Sequence, residues 1–226
     1  SGALIQFLPN IANLQDIVEE DQQNAFEKML NILHVMQKPS LLAAHRLQKP
    51  STTALVAALF TRVDIDAQQN AFKTCKDLYF HQFPNTQYAY VNCRDVMFML
   101  EHLHHFEEID PASMRPSEFE RVFCTKRGQQ LLLLMHAVHI TSGVHSVARE
   151  RLHNATRIAL KLTRDLCPNG EALKHLVSGS DIGTLGVEPG PIYRELIDHA
   201  RDAQLSGKIK TKDQALDLLR EHVRNI

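Results

Sequence analysis

An all-α fold, irregular in its packing rather than a regular four-helix bundle, is what this sequence predicts. Three observations carry that expectation. Apolar residues recur at helical spacing in nearly every segment. No stretch alternates apolar and polar residues, and no Asn-Gly-type hairpin interrupts the chain. Prolines and glycines fall between the periodic segments, where helices start and stop.

The elements follow in order. Residues 24–37 place Phe26, Met29, Leu30, Leu33 and Met36 on one stripe, with Pro39 as the stop. After Pro50 comes a strongly apolar helix over 52–62, bearing Leu55, Val56, Ala58, Leu59 and Val63. Helices are expected over 67–82, ending at Pro84, and over 88–104, with Val91, Val96, Met97 and Leu100. Pro116 introduces a pair at 117–123 and 127–142 that Gly143 ends. The run Leu131–Leu134 is most simply core. A long helix near 145–166 precedes Pro168-Asn169-Gly170, an evident turn and the best internal boundary. The expected domains are therefore a helical body over 1–168 and a small helical tail over 169–226.

In the tail, Ser180 and Asp181 open a short helical turn that Gly186 closes. Gly190-Pro191 restarts a helix, with proline near the first turn, where its missing N–H costs nothing. That helix carries Ile192, Leu196, Ile197, Ala200 and Leu205, and Gly207 ends it as a left-handed stop. Thr211 followed by Gln214 is a capping-box start for the last helix, with Ala215, Leu218, Leu219 and Val223 as its apolar face.

With 226 residues and 44% apolar content the chain can build a substantial core. No apolar run reaches membrane-spanning length, and the amino end lacks a signal-peptide pattern. Cys75, Cys93, Cys124 and Cys167 show no C-x-x-C spacing, which argues against zinc ribbons and disulfide frameworks. Free, mostly buried thiols in a reducing cytosol are the expected state, so the localisation expected is cytoplasmic. A net charge of −1 excludes a polycationic nucleic-acid binder, yet the charge is uneven. Residues 1–27 hold acids without Lys or Arg, whereas residues 115–174 hold ten basic side chains against five acidic ones. Such a basic stretch fits either a phosphate-facing surface or an ordinary solvated helix face.

The wording of the last fifty residues is more specific than its physics. D-I-G-T-L-G-V-E-P-G-P-I-Y-R-E-L-I-D, then A-Q-L-S-G-K-I-K-T-K-D-Q-A-L-D-L-L, resembles the carboxy-terminal segment of bacterial CCA-adding enzymes and their poly(A) polymerase relatives. Upstream, G-A-L-I-Q-F-L-P-N-I resembles the segment with which that family's body begins. R-P-S-E-F-E-R-V-F-C-T-K-R-G-Q-Q-L-L-L-L-M-H-A resembles its body motif of a proline and an aromatic before a basic, Leu-rich helix. The likeness runs from residue 2 to about 222 and is densest after residue 176.

What this resemblance implies is a body and tail that hold RNA by backbone and shape, so that a 3′ end reaches a catalytic head. That head's Gly-Ser motif and Asp-x-Asp metal pair are not found in the sequence, and neither is the neck motif that selects ATP and CTP. The chain alone is thus expected to be catalytically silent and to carry no cofactor; ATP or CTP and Mg²⁺ belong to the head. A start at Ser1 suits a fragment of a longer protein. Expected partners are RNA, as tRNA-like molecules or mRNA 3′ ends, and the protein's own head and neck, with no membrane. Some relatives also carry a His-Asp phosphohydrolase site. Here Phe60 and Thr61 stand where the His-Asp pair is needed, and neither can hold a divalent cation as those ligands do.

His136 and His139 lie three apart, and His102, His104 and His105 crowd another helix. An H-x-x-H pair needs a third ligand that no local residue supplies, so satisfied or exposed histidines are expected and no metal site. Ser142, Ser146 and Cys124 lack any nucleophile signature. Gly190-Pro191 at a helix start reads as a tight interhelical turn, or as backbone N–H groups facing a phosphate. Lys208, Lys210 and Lys212 in the link that follows read as a phosphate contact or as a solubilising loop. The candidate RNA-contacting set is Arg121, Lys126, Arg127, Arg149, Arg157, Lys161, Arg194, Lys208, Lys210 and Lys212. The competing class is a helical interaction module without RNA.

Overall fold

The computed structural model describes residues 9–18, 24–63, 91–141, 147–167 and 172–224. Among these the protein is all-α, with no strand and a lone antiparallel bridge between Val18 and Asn24. The helix expected over 67–82, the Gly143 stop and the Pro168-Asn169-Gly170 turn lie outside the described residues, as does the side chain of Arg149. The chain forms two compact units. The first comprises Ser1–Ala112 and Lys126–Leu160; the second comprises Ser113–Thr125 and Lys161–Ile226.

In the first unit, α1 (Ala25–Met36) starts at Asn24, whose side chain accepts hydrogen bonds from the Phe26 and Glu27 amides at 2.8 and 3.4 Å. Its buried face is Ala25, Lys28, Met29, Ile32, Val35 and Met36, so the expected stripe is corrected: Leu30 is 45% exposed. Ile32 and Val35 turn the face by part of a turn relative to the Phe26–Leu33 reading. Pro39 does more than stop α1, because it opens α2 (Pro39–His45) from the first turn. The helix α3 (Thr52–Phe60) is capped by Ser51, which accepts from the Ala54 amide at 3.1 Å. The helix α4 (Cys93–His105) is capped by Asn92. Pro116–Phe123 is α5 and Lys126–Thr141 is α6, against which α1, α3 and α4 pack. Every residue from Leu131 to Met135 is buried, and each such leucine contributes about 1.5–3 kcal/mol. Gln130 of α6 accepts from the Ser51 amide at 2.7 Å and donates to the Lys49 carbonyl at 3.2 Å, fixing the approach to α3. The long α7 (Val147–Leu166) runs from this unit into the second.

The second unit is built from α5, the end of α7, α8 (Gly179–Gly183), α9 (Pro191–Leu205) and α10 (Lys212–Arg224). Its core is Val177, Ile182, Leu196, Ala200, Ala203, Ile209, Ala215 and Leu219. Ser178, rather than Ser180, caps α8: Asp181 accepts from the Ser178 amide at 2.9 Å and from its hydroxyl at 2.7 Å. Gly186 and Gly207 hold φ of 77° and 75°, the left-handed conformation in which a side chain is costly. Thr211 and Gln214 form the expected reciprocal cap at 3.3 Å each way.

Two features of this unit were not expected. Cys124, at the end of α5, and Cys167, just past α7, are joined in a disulfide with Cα atoms 6.2 Å apart. The expectation of free thiols at these positions is corrected. Forty-three residues separate the pair, so nothing local in the sequence signals it. The second feature is a buried polar seam between α5 and α9. Arg201, 3% exposed, donates through Nε to Glu120 Oε2 at 2.7 Å and through Nη2 to Glu120 Oε1. The same guanidinium reaches the Leu173 carbonyl at 2.6 Å and Gln204 Oε1 at 2.6 Å. Alongside, the Ser117 amide donates to Asp202 at 2.7 Å and Arg121 pairs with Asp198 at 2.5 Å.

Candidate nucleic-acid interface

The cations of α7 sort cleanly by helical position. Leu152, Ala155, Thr156, Ala159, Leu160 and Thr163 are buried on one side. Arg151, Arg157, Lys161 and Arg164 stand exposed at spacings of three to six residues on the opposite side, with Glu150 before them and Asp165 beside Arg164. Arg157 and Lys161 are one turn apart and make no ion pair with a described residue. A helix face with this charge and no acid between its cations can lie along a phosphate backbone.

The α9–α10 link presents a second, smaller group. Ile209 is buried and anchors it, while Lys208 and Lys210 project from either side, both exposed. The Lys208 and Ile209 amides donate to the Ala203 carbonyl at 2.9 and 3.3 Å, closing the end of α9 around Gly207. Arg194, exposed on the first turns of α9, and Lys126, exposed at the start of α6, likewise have no ion pair with a described residue.

Three of the ten candidate cations are already engaged within the chain. Lys212 Nζ lies 2.5 Å from Asp181 Oδ1, and that ammonium, with the Ser178 hydrogen bonds, lowers the Asp181 pKa to about 2. Arg121 is held by Asp198. Arg127 lies over the Phe98 ring, 4.0 Å from its centroid, and 4.0 Å from Asp95. These pairings join residues 31, 77 and 29–32 positions apart, so no local spacing announces them. Of the remaining seven, Arg157 and Lys161 share one helix face and Lys208 and Lys210 share one link.

The other motifs resolve as follows. The Gly190-Pro191 corner supports the turn reading: the Tyr193 amide donates to the Gly190 carbonyl at 3.0 Å and the Tyr193 hydroxyl to the Val187 carbonyl at 3.0 Å. Phe60 is 1% exposed within the core, and the Thr61 hydroxyl bonds back to the Ala58 carbonyl at 2.9 Å. His102 Nδ1 donates to the Phe98 carbonyl, 2.8 Å away, and burial lowers its pKa. His139 meets a partner that sequence reasoning missed, His153, with Nε2 and Nδ1 2.7 Å apart. Among the described residues no helix is long and apolar enough to cross a membrane. Comparison with known proteins finds no matching family model, no matching curated protein and no matching solved structure.

Proposed function

We propose that this chain is the RNA-holding body and tail of a template-independent RNA nucleotidyltransferase, of the kind that adds CCA or poly(A) to 3′ ends. In this reading the exposed cations of α7, and separately those of the α9–α10 link, contact phosphates of a tRNA-like molecule or an mRNA 3′ end. A separate head and neck, with ATP or CTP and Mg²⁺, perform the transfer. The observation that carries the proposal is the α7 face, where Arg151, Arg157 and Lys161 stand exposed while Leu152, Ala155, Ala159 and Leu160 are buried. The carboxy-terminal wording that resembles the CCA-adding family supports it. Recognition of this kind reads backbone and shape and few bases.

The test is equilibrium binding of a tRNA lacking its terminal CCA across a salt series. Binding should weaken steeply with salt, with a log–log slope of about −0.9 for each phosphate neutralised on duplex DNA and somewhat less on RNA. Arg157→Ala/Lys161→Ala should flatten it by about two such steps. A second reading, a helical protein-interaction module, draws on the internal pairing of Arg121, Arg127 and Lys212, which removes three cations from any RNA surface. It predicts no salt-dependent binding even at low ionic strength, and that result would replace the first reading.

A further inference from the structure

Four histidines of the first unit form a contact chain across three helices. His45 ends α2 and meets His136 of α6 edge-on, with ring centroids 4.4 Å apart. One turn along α6 stands His139, 6.3 Å from His136, and its ring lies 4.1 Å from that of His153 on α7. Among the described residues no three of these side chains, or of any Cys, Asp or Glu, are grouped so as to hold a metal ion. His136 Nδ1 is buried with no hydrogen-bond partner among the described residues. The described titratable groups that act on His136 are the other three imidazoles, and the one that acts on His139 is His153. Among the described residues no carboxylate, whether on α1, α3 and α4 or on α2 and α7, is among the groups that act on either ring.

We propose that this chain of imidazoles is an acid-sensitive latch that holds α2 against α6 when neutral and releases it when protonated. The chemistry follows from the contacts. Between His139 Nε2 and His153 Nδ1, 2.7 Å apart, one nitrogen donates and the other accepts. A doubly protonated pair has N–H on both sides, so the hydrogen bond is lost. A proton on His136 sits in a desolvated position beside His45, with no anion among the described residues acting to balance it. Burial first, then the three neighbouring rings, lower the His136 pKa from 6.5 to about 4.

The sign is that of a depressed base. The unfolded chain binds the proton more readily, so the latch contributes fully above pH 6.5 and is lost as pH falls towards about 4. The helix that lets go is α2, seven residues long, with Leu41 as its buried apolar residue. Its last-turn His45 is the ring that faces His136.

The experiment is a histidine-resolved NMR titration of the whole chain between pH 7.5 and about 3. Denaturant unfolding at each pH, followed by circular dichroism, accompanies it for the native sequence, His45→Gln, His136→Gln and His153→Gln. His136 should titrate well below 6.5, and α2 amides should lose exchange protection before those of α6. A shift from 6.5 to 4 corresponds to about 300-fold in the folding constant, which partial exposure of the ring reduces to about tenfold or more. His136→Gln should remove that part of the acid sensitivity, and His45→Gln a smaller share. An ordinary His136 titration near 6.5, or equal acid sensitivity in His136→Gln and the native chain, overturns the proposal. Should His136→Gln fail to fold at neutral pH, the titration of the native chain still decides.

Discussion

Replacing Arg201 with methionine removes a guanidinium that is 3% exposed and bonds both oxygens of Glu120, itself 6% exposed. Methionine restores most of the aliphatic volume, so the loss is electrostatic rather than a cavity. Glu120 is left as a buried carboxylate without its cation, which costs about 3–5 kcal/mol. The orphaned Leu173 carbonyl adds about 1 kcal/mol. For a compact unit of this size each kcal/mol moves the melting temperature by about 4–8 °C, so Arg201→Met should melt the second unit about 20 °C lower or more. The chain contains no tryptophan, so the transition is followed by far-ultraviolet circular dichroism. The double change Glu120→Met/Arg201→Met removes both charges together and should recover most of the loss. A single-variant loss under about 1 kcal/mol, or a double variant as unstable as the single, would refute the assignment of this pair as the seam's main anchor.

Four other outcomes are expected. Reducing the Cys124–Cys167 disulfide reopens a loop of 43 residues and should lower stability by up to about 4 kcal/mol, read as a thermal shift with and without dithiothreitol. Gly207→Ala meets no atom within 4 Å of the new Cβ, so its expected cost of about 1–2 kcal/mol is the left-handed backbone alone, measurable by urea unfolding. Lys208→Ala/Lys210→Ala should flatten the salt slope of tRNA binding by up to about two steps with the fold intact, whereas adding Lys212→Ala should change it little because that ammonium already faces Asp181. Incubated with a tRNA lacking CCA, ATP, CTP and Mg²⁺, the chain should extend nothing; labelled product on a gel would show an active site overlooked.

Helix punctuation was the most legible part of the molecule. Pro116, Pro191, Gly207 and the Thr211–Gln214 cap act locally, within four residues of where they stand, and local signals survive in sequence. The face of a helix was less legible. In α1 the choice between Leu30 and Ile32 as the buried residue depends on α3 and α6, which the helix cannot announce. Least legible were the long-range pairs: Cys124 with Cys167, Glu120 with Arg201, and His139 with His153. Each is decided by which helices meet, and single-sequence patterns carry no record of that. The same holds for the basic surface. Arg157 and Lys161 keep the exposure their spacing suggests, while Lys212 and Arg121, exposed as well, are paired with acids 31 and 77 residues away.

The second unit is discontinuous in sequence: the segment Ser113–Thr125, which holds α5, comes first, and Arg201 of α9, which completes its polar seam, follows Glu120 by 81 residues. During synthesis at about 5–20 residues per second, α5 therefore waits seconds for its partner, with Glu120 and Phe119 still in water. Closing so long a loop before any reward arrives makes this a slow, non-local step compared with forming α9 and α10 against each other. The seam is thus a timing element as much as a structural one. A nascent chain interrupted before Arg201 holds a carboxylate-bearing helix with nothing to close on, and quality-control machinery that reads exposed apolar surface would meet it in that state.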